Sequence, residues 1–200
     1  QLALKGVVFA YDAITTQKKT CQKILESGNH YLAALRGKQR TLLAAAKEQF
    51  VPEQEHCELS KGHGRLERRV TQVCYQIENL PDWPGFQSLV RVEATREELL
   101  PDMIVVTRQV RYYICSFVET AAQVAQRIRG YWRVENQVHY VRDVTQGEDK
   151  SRIRTTPLVQ LFALARNFAL NLYRDFGFTN MAQAQRRCGQ GLSTQQAVFE

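Results

Sequence analysis

Four side chains stand in a line that could do chemistry: Trp132, Glu135, His139 and Arg142. Their steps of three, four and three residues put them on one face of any helix that carries them. A carboxylate at the edge of a helix's apolar stripe can hold a hard divalent cation, and an arginine two turns along can grip a phosphate through its planar fork. The same line also has a commoner meaning, a solvated Glu135–His139 pair on an ordinary amphipathic helix. Asp12 is a second candidate. It closes the apolar run Leu4 to Tyr11, and the carboxyl ends of strands are where α/β sheets collect their sites. Its bland reading is a turn or cap before the next helix.

The elements that must position these residues follow from the pattern. Leu4 to Tyr11 reads as a buried strand in a parallel part of a sheet. Thr15 and Thr16 are candidate caps for a helix with apolar positions Cys21, Ile24 and Leu25. Gly28-Asn29 is a left-handed stop. Tyr31 to Leu35 is a second strand, and Arg40 to Phe50 a second helix, so the opening is α/β in order. Between Val51 and Val118 three β-rich stretches, 68–78, 88–95 and 107–117, are divided by turn formers such as Pro81-Asp82-Trp83-Pro84-Gly85, which predicts an antiparallel meander. From Glu119 to Asp143 the spacing is helical. Val124, Ile128, Tyr131, Val134, Val138 and Val141 form its apolar stripe. A strongly apolar helix is predicted from Pro157 to Tyr173, and a loosely held Gln- and Arg-rich tail after Asp175.

Bulk properties narrow the classes. With 44% hydrophobic and 24% charged residues the chain of 200 residues has material for a core, which excludes a disordered class. Its formal charge of +7 suits a polyanionic partner. The most apolar run, Leu158 to Leu172, is interrupted by Gln160, Arg166, Asn167 and Asn171, so no membrane span or signal peptide is expected and the cytoplasm is the default compartment. The five cysteines are scattered without a Cys-x-x-Cys pair, as in a reducing compartment. His56, Cys57 and His63 lack a nearby fourth ligand for structural zinc.

Four blocks, in order, resemble the H-repeat-associated branch of bacterial insertion-sequence DDE transposases. They are Val8-Phe-Ala-Tyr-Asp-Ala13 with Gln17; Tyr31-Leu-Ala-Ala-Leu-Arg-Gly-Lys-Gln39; Gly62-His-Gly-Arg-Leu-Glu67 with Arg69; and Ile128-Arg-Gly-Tyr-Trp-Arg-Val-Glu-Asn136 with His139, Asp143-Val144, Glu148-Asp149 and Ser151-Arg152. Arg166 and Ala169-Leu-Asn171-Leu follow, so the resemblance runs to about Tyr173. Tyr131 stands where that family usually has His, Arg142 where an apolar residue is common, and Arg36 and Lys38 replace its Lys and Asn.

The resemblance implies an RNase H-like α/β fold: a mixed sheet with flanking helices and a β-rich insertion between the second and third catalytic acids. Residues 1–50 would form the first part of the core, 51–118 the insertion, 119–175 the catalytic and C-terminal helices, and 176–200 the tail. Asp12 would be the second acid and Glu135 the third, both holding two Mg²⁺ ions, with Mn²⁺ able to substitute. The first acid would lie on a strand upstream of Gln1, so the chain is expected to be a fragment that does not cut DNA alone. The partners implied are double-stranded DNA, as transposon ends and target, and a second copy of the chain to pair two ends. Arg36, Lys38, Arg65, Arg129, Trp132, Arg133, His139 and Arg142 are the residues expected to touch DNA, while the resemblance itself assigns no role to His63, Arg65 or Glu67. Two other functions remain open at this level: a non-catalytic DNA-binding remnant of such an enzyme, and a nuclease of RNase H type that cuts without joining.

Overall fold

The computed structural model describes residues 4–62, 64–76, 80–134, 138 and 140–189. It divides into two compact units, residues 1–131 and 132–200.

The first unit is built on one six-stranded sheet. Its strands are β1 (Val8–Tyr11), β2 (His30–Leu35), β3 (Gln54–Gly62), β4 (Arg65–Cys74), β5 (Ser88–Leu99) and β6 (Ile104–Cys115), in the spatial order β1-β2-β6-β5-β4-β3. β1 and β2 are parallel and joined through helix α1 (Lys18–Glu26), as a parallel pair requires. Every other pairing is antiparallel, and β3 to β6 form a continuous meander. The sheet is therefore mixed, and the expected meander is present. It has one strand more than the three stretches predicted, because β3 carries the polar sequence Gln-Glu-His-Cys-Glu-Leu-Ser-Lys-Gly. Such a strand has no apolar alternation to betray it; it forms by pairing with β4 along its whole length.

The two faces of the sheet are covered by different helices. Tyr31, Ala33, Leu35, Cys74, Leu89, Tyr112 and Ile114 pack with Cys21 of α1 and with Leu42 and Ala46 of α2 (Arg40–Glu48). On the opposite face, α3 (Ala121–Val134) lies over β3: Gln54 Oε1 accepts the Ala121 N–H at 3.2 Å, and Arg129 Nε is 3.7 Å from Glu58 Oε2. Val124 and Ile128 are buried there, as the stripe predicts, together with Ala125, whereas Val134 is exposed.

Loop residues 80–87 close the α1 side. Trp83 and Phe86 pack on the core, the Trp83 indole N–H points at Cys21 Sγ (3.2 Å), and the Tyr31 hydroxyl donates to Pro84 O at 2.7 Å. Burial pushes the Tyr31 hydroxyl well above the ordinary phenol range. Gly85 makes the turn possible: its φ is +62°, and a Cβ there would lie 2.6 Å from Leu25 Cδ1. Gly85→Ala is therefore expected to destabilise the chain by about 1–2 kcal/mol, from the left-handed backbone and the push on Leu25; urea unfolding would read it, and an unchanged midpoint would contradict the assigned turn.

Two local expectations need comment. Thr15 and Thr16 do not cap α1, which corrects the first; Gln17 occupies the N-cap position without a side-chain bond. Thr16 is instead buried, its hydroxyl donating to Ala34 O at 2.8 Å, so it ties loop to sheet. The second, the Gly28-Asn29 stop, is present. Gly28 has φ +75°, and the N–H groups of Gly28 and Asn29 return to Leu25 O and Ile24 O. Asn29 then receives the Val7 N–H on Oδ1 (3.0 Å) and donates to Leu4 O (2.9 Å), which aligns the approach to β1.

β1 is shorter and less buried than its apolar run suggests. It is the edge strand, and Val7 and Phe9 remain 36% and 38% exposed. Apolar edges promote self-association. Phe9→Lys is expected to lower any concentration-dependent self-association seen in analytical ultracentrifugation; an unaltered profile would free this edge of the role.

The second unit holds a π-helical turn at Val141–Thr145, α4 (Leu158–Asp175) and α5 (Met181–Gly189). The described residues of the predicted helix to Asp143 are helical, with a wider turn at its end. α3 is described to Val134, residues 135–137 and 139 lie outside those described, Val138 and Tyr140 are again helical, and Val141–Thr145 winds wider. The tail is a further correction, because its first part folds as α5. Leu170 of α4 and Met181, Ala184 and Cys188 of α5 are all buried. Leu161, Phe162, Leu164 and Phe168 of α4 are exposed. No helix of the described residues is long and apolar enough to cross a membrane.

Candidate metal centre and nucleic-acid interface

Asp12 follows directly on β1, at the end of the parallel pair where both strand carboxyl termini lie together. Its half-buried carboxylate accepts the Ala13 N–H on Oδ1 at 2.7 Å. Among the described residues it takes no other hydrogen bond and no ion pair. Its backbone carbonyl receives the Thr15 N–H (3.1 Å) and the Thr15 hydroxyl (3.0 Å), so the chain turns tightly after it.

Gln39 holds this turn from the side. It is buried, and its amide donates to Ala13 O (3.1 Å) and Thr16 O (2.7 Å), while its Oε1 accepts the Arg36 N–H at 3.1 Å. The two bonds it donates satisfy backbone carbonyls that the turn would otherwise bury unpaired. Sequence reasoning does not single out Gln39 or Thr16 as site residues, although Gln39 ends the second block. Nothing local marks a glutamine as a brace, since its partners are 23 and 26 residues away.

Arg36 and Lys38 are exposed and flank Gly37 in the turn that runs from β2 into α2, next to the Gln39 brace. The structure therefore brings Arg36, Lys38 and Asp12 to one end of the sheet. Arg129 lies on α3 over Glu58, on the face of the sheet opposite α1 and α2.

Arg65 is placed elsewhere. Tyr11 shares a cross-sheet row with Ala33, Ile114, Leu89 and Cys74. Arg65 stands on the same strand as Cys74, roughly 30 Å along β4 from it at ~3.3 Å per residue. There it faces Glu98 at 4.0 Å. Next to it, Glu67 accepts from Arg69 and, at 3.2 Å, from Arg96. Burial works to raise the Glu67 carboxyl, but the Arg69 charge and the Arg96 hydrogen bond outweigh it and hold the group below the usual carboxylate range. A depressed carboxyl stabilises the fold above its unfolded pKa of about 4.3, and that contribution is lost as pH falls through the folded value. Glu67→Gln is expected to cost about 1–2 kcal/mol near neutrality, discounted for the exposed Arg96, with the difference vanishing in acid. A pH-independent difference in urea midpoints would exclude the ion triad as its cause.

Trp132, Arg133 and Arg142 belong to the second unit. Arg142 is not held ready for a phosphate: its fork is filled by Glu148, with Nε and Nη2 each 2.8 Å from a carboxylate oxygen. The hydrogen bond from Arg142 is the main cause holding Glu148 low, and the same bond raises Arg142. The Glu148 N–H also returns to Arg142 O, and the Gln146 amide reaches Arg166 O on α4 (3.2 Å). The fourth block is thus partly a structural clasp. Glu135 and His139 lie outside the described residues, as does His63. No group of three or more metal-ligating side chains occurs among the described residues.

Comparison with known proteins decides the family. A profile described as "Transposase DDE domain" matches residues 1–172. The chain belongs to the DDE transposase family. It is similar to "H repeat-associated putative transposase YhhI" and to "Putative protein YbfL", both of Escherichia coli K12, at 35% identity over 182 residues in each case. That is 86% of this chain and 48% of each relative. It is also 31% identical over 185 residues to "Putative transposase YncI" of Escherichia coli O157:H7, covering 87% of this chain and 47% of that protein. The chain spans about half the length of these curated relatives. No solved structure matches. The six-stranded mixed sheet with helices on both faces is the RNase H-like α/β arrangement of this transposase domain.

Proposed function

We propose that this chain supplies Asp12 and Glu135 to a divalent-metal site that cleaves DNA strands at transposon ends and joins them to target DNA. The observation carrying this reading is the family match across residues 1–172, with Asp12 at the carboxyl end of a parallel strand pair.

The residues present suit a hard cation. Asp12 offers carboxylate oxygen, the ligand type Mg²⁺ prefers, and Mn²⁺ accepts the same set. Among the described residues only one of its oxygens is engaged, by the Ala13 N–H. Glu135 would complete the pair. When bound, two divalent ions supply charge stabilisation for an in-line displacement at phosphorus. The chain's own part is positioning. Gln39 and Thr16 keep the Asp12 turn from shifting, and Arg36 and Lys38 offer positive charge to the DNA backbone beside it. Arg65, Arg129, Trp132, Arg133 and His139 would extend contact along the DNA. Arg142 would do so only after exchanging Glu148 for phosphate, a competition that weakens its case. A second copy of the chain would let two transposon ends be held together. Residues 51–118, as the insertion, and 119–175, as the catalytic and C-terminal helices, keep their assigned roles within this proposal.

The test uses the full-length gene product with a labelled transposon-end duplex and a pre-cut 3′ end, with Mg²⁺ present or chelated. Metal-dependent cleavage followed by joining is expected. Cleavage without joining would make it a nuclease, and DNA binding without either step would make it a non-catalytic remnant.

A further inference from the structure

The second unit contains a cavity of about 900 Å³ whose lining, among the described residues, does not include Asp12. Its walls come from the π-helical turn, the end of α4 and the start of α5. Tyr140, Val144, Phe178 and Met181 provide apolar and aromatic surface, and Arg186 provides cationic charge beside Arg174, which is already engaged within the protein. No carboxylate lines it among the described residues.

That combination has a specific chemical meaning. Rings that offer a face favour a flat, polarisable group, and guanidinium groups favour phosphate through paired, charge-assisted hydrogen bonds. A nucleotide has both parts, joined at a short distance. A base within a duplex is already stacked on both sides and cannot enter, so the fitting form is an unpaired nucleotide. The volume lies in the range of small-ligand sites, about 300–1,000 Å³. Tyr140 also follows Glu135 by only five positions in the chain, so the cavity wall begins close in sequence to the proposed metal ligand.

We propose that this cavity holds one unpaired nucleotide of the DNA substrate, its base against Tyr140 and Phe178 and its phosphate at Arg186. The inference rests on the DNA-processing reading above and adds a single-strand subsite to it. Tyr140 and Arg186 are both exposed, so substitutions there leave the core intact.

The experiment measures binding of the 200-residue chain to a fluorescent blunt duplex and to the same duplex with a short single-stranded overhang, in chelator. The overhang is expected to improve affinity by about tenfold, the order that stacking of one base supplies. Tyr140→Ala and Arg186→Gln should each erase most of that gain while leaving blunt-duplex affinity unchanged. An iodinated base in the overhang should photo-crosslink to the 140–186 segment. Equal affinity of the unaltered chain for both duplexes would overturn the subsite, as would variants that weaken both duplexes alike or crosslinks confined to residues 8–131. In each of those cases blunt-duplex binding survives, and the parent reading with it. Failure to bind either duplex would remove the DNA reading and this inference together.

Discussion

Asp12→Asn is expected to reduce metal-dependent strand cleavage by the full-length gene product roughly a thousand-fold, equivalent to about 4 kcal/mol in the transition state. The substitution is nearly isosteric. Asn keeps the carbonyl oxygen that accepts the Ala13 N–H, so the turn should hold its shape. What is lost is the negative charge, and with it most of the affinity for a hard cation. DNA binding should stay within about twofold, because the phosphate contacts of Arg36 and Lys38 are independent of that charge. Titration with Mn²⁺ gives a second readout, in which metal affinity falls while thermal stability does not. Undiminished cleavage by the variant would remove Asp12 from the site, and Glu135→Gln tests its proposed partner in the same assay.

The largest effect on the protein itself should come from Gln39→Leu. Leucine fills a similar space but offers no polar atoms. It would leave Ala13 O, Thr16 O and the Arg36 N–H without the partners they have at 2.7–3.1 Å. Part of this loss is relieved by water at the exposed Arg36, so the cost is about 3 kcal/mol rather than the full sum of three bonds. For a chain of this size that is a fall in melting temperature of roughly 10 °C. Cleavage should fall too at temperatures where the variant remains folded, because the turn carrying Asp12 loses its brace. A variant with wild-type melting and lower cleavage would contradict the structural half of the argument. One with lower melting and full cleavage would contradict the positioning half.

Much of the fold of the first fifty residues was legible in the sequence alone. The apolar run before Asp12, the amphipathic spacing of α1, the Gly28-Asn29 stop and the second apolar strand each report on a few neighbouring positions, and the parallel pairing of β1 and β2 follows from their order around a helix. β3 escaped because its pattern is polar; its state is set by β4 across the sheet. The buried role of Thr16 escaped because a threonine before a helix has a simpler local meaning as a cap. The exposure of β1 was hidden because an apolar strand reads alike in the centre of a sheet and at its edge.

For the site, the residue types and their spacing pointed to Asp12 and to the line through Glu135, and the ordered blocks pointed to the family. These depend on chain order and short-range periodicity, which a sequence carries in full. Three matters needed the tertiary structure: the bracing of the Asp12 turn by Gln39, the capture of Arg142 by Glu148, and the placement of Arg65 far along β4 from the Asp12 end. Each is a choice among several available partners, made by packing and burial between distant segments. Side-chain charge and hydrogen-bonding capacity limit those choices, but only the folded chain selects one of them.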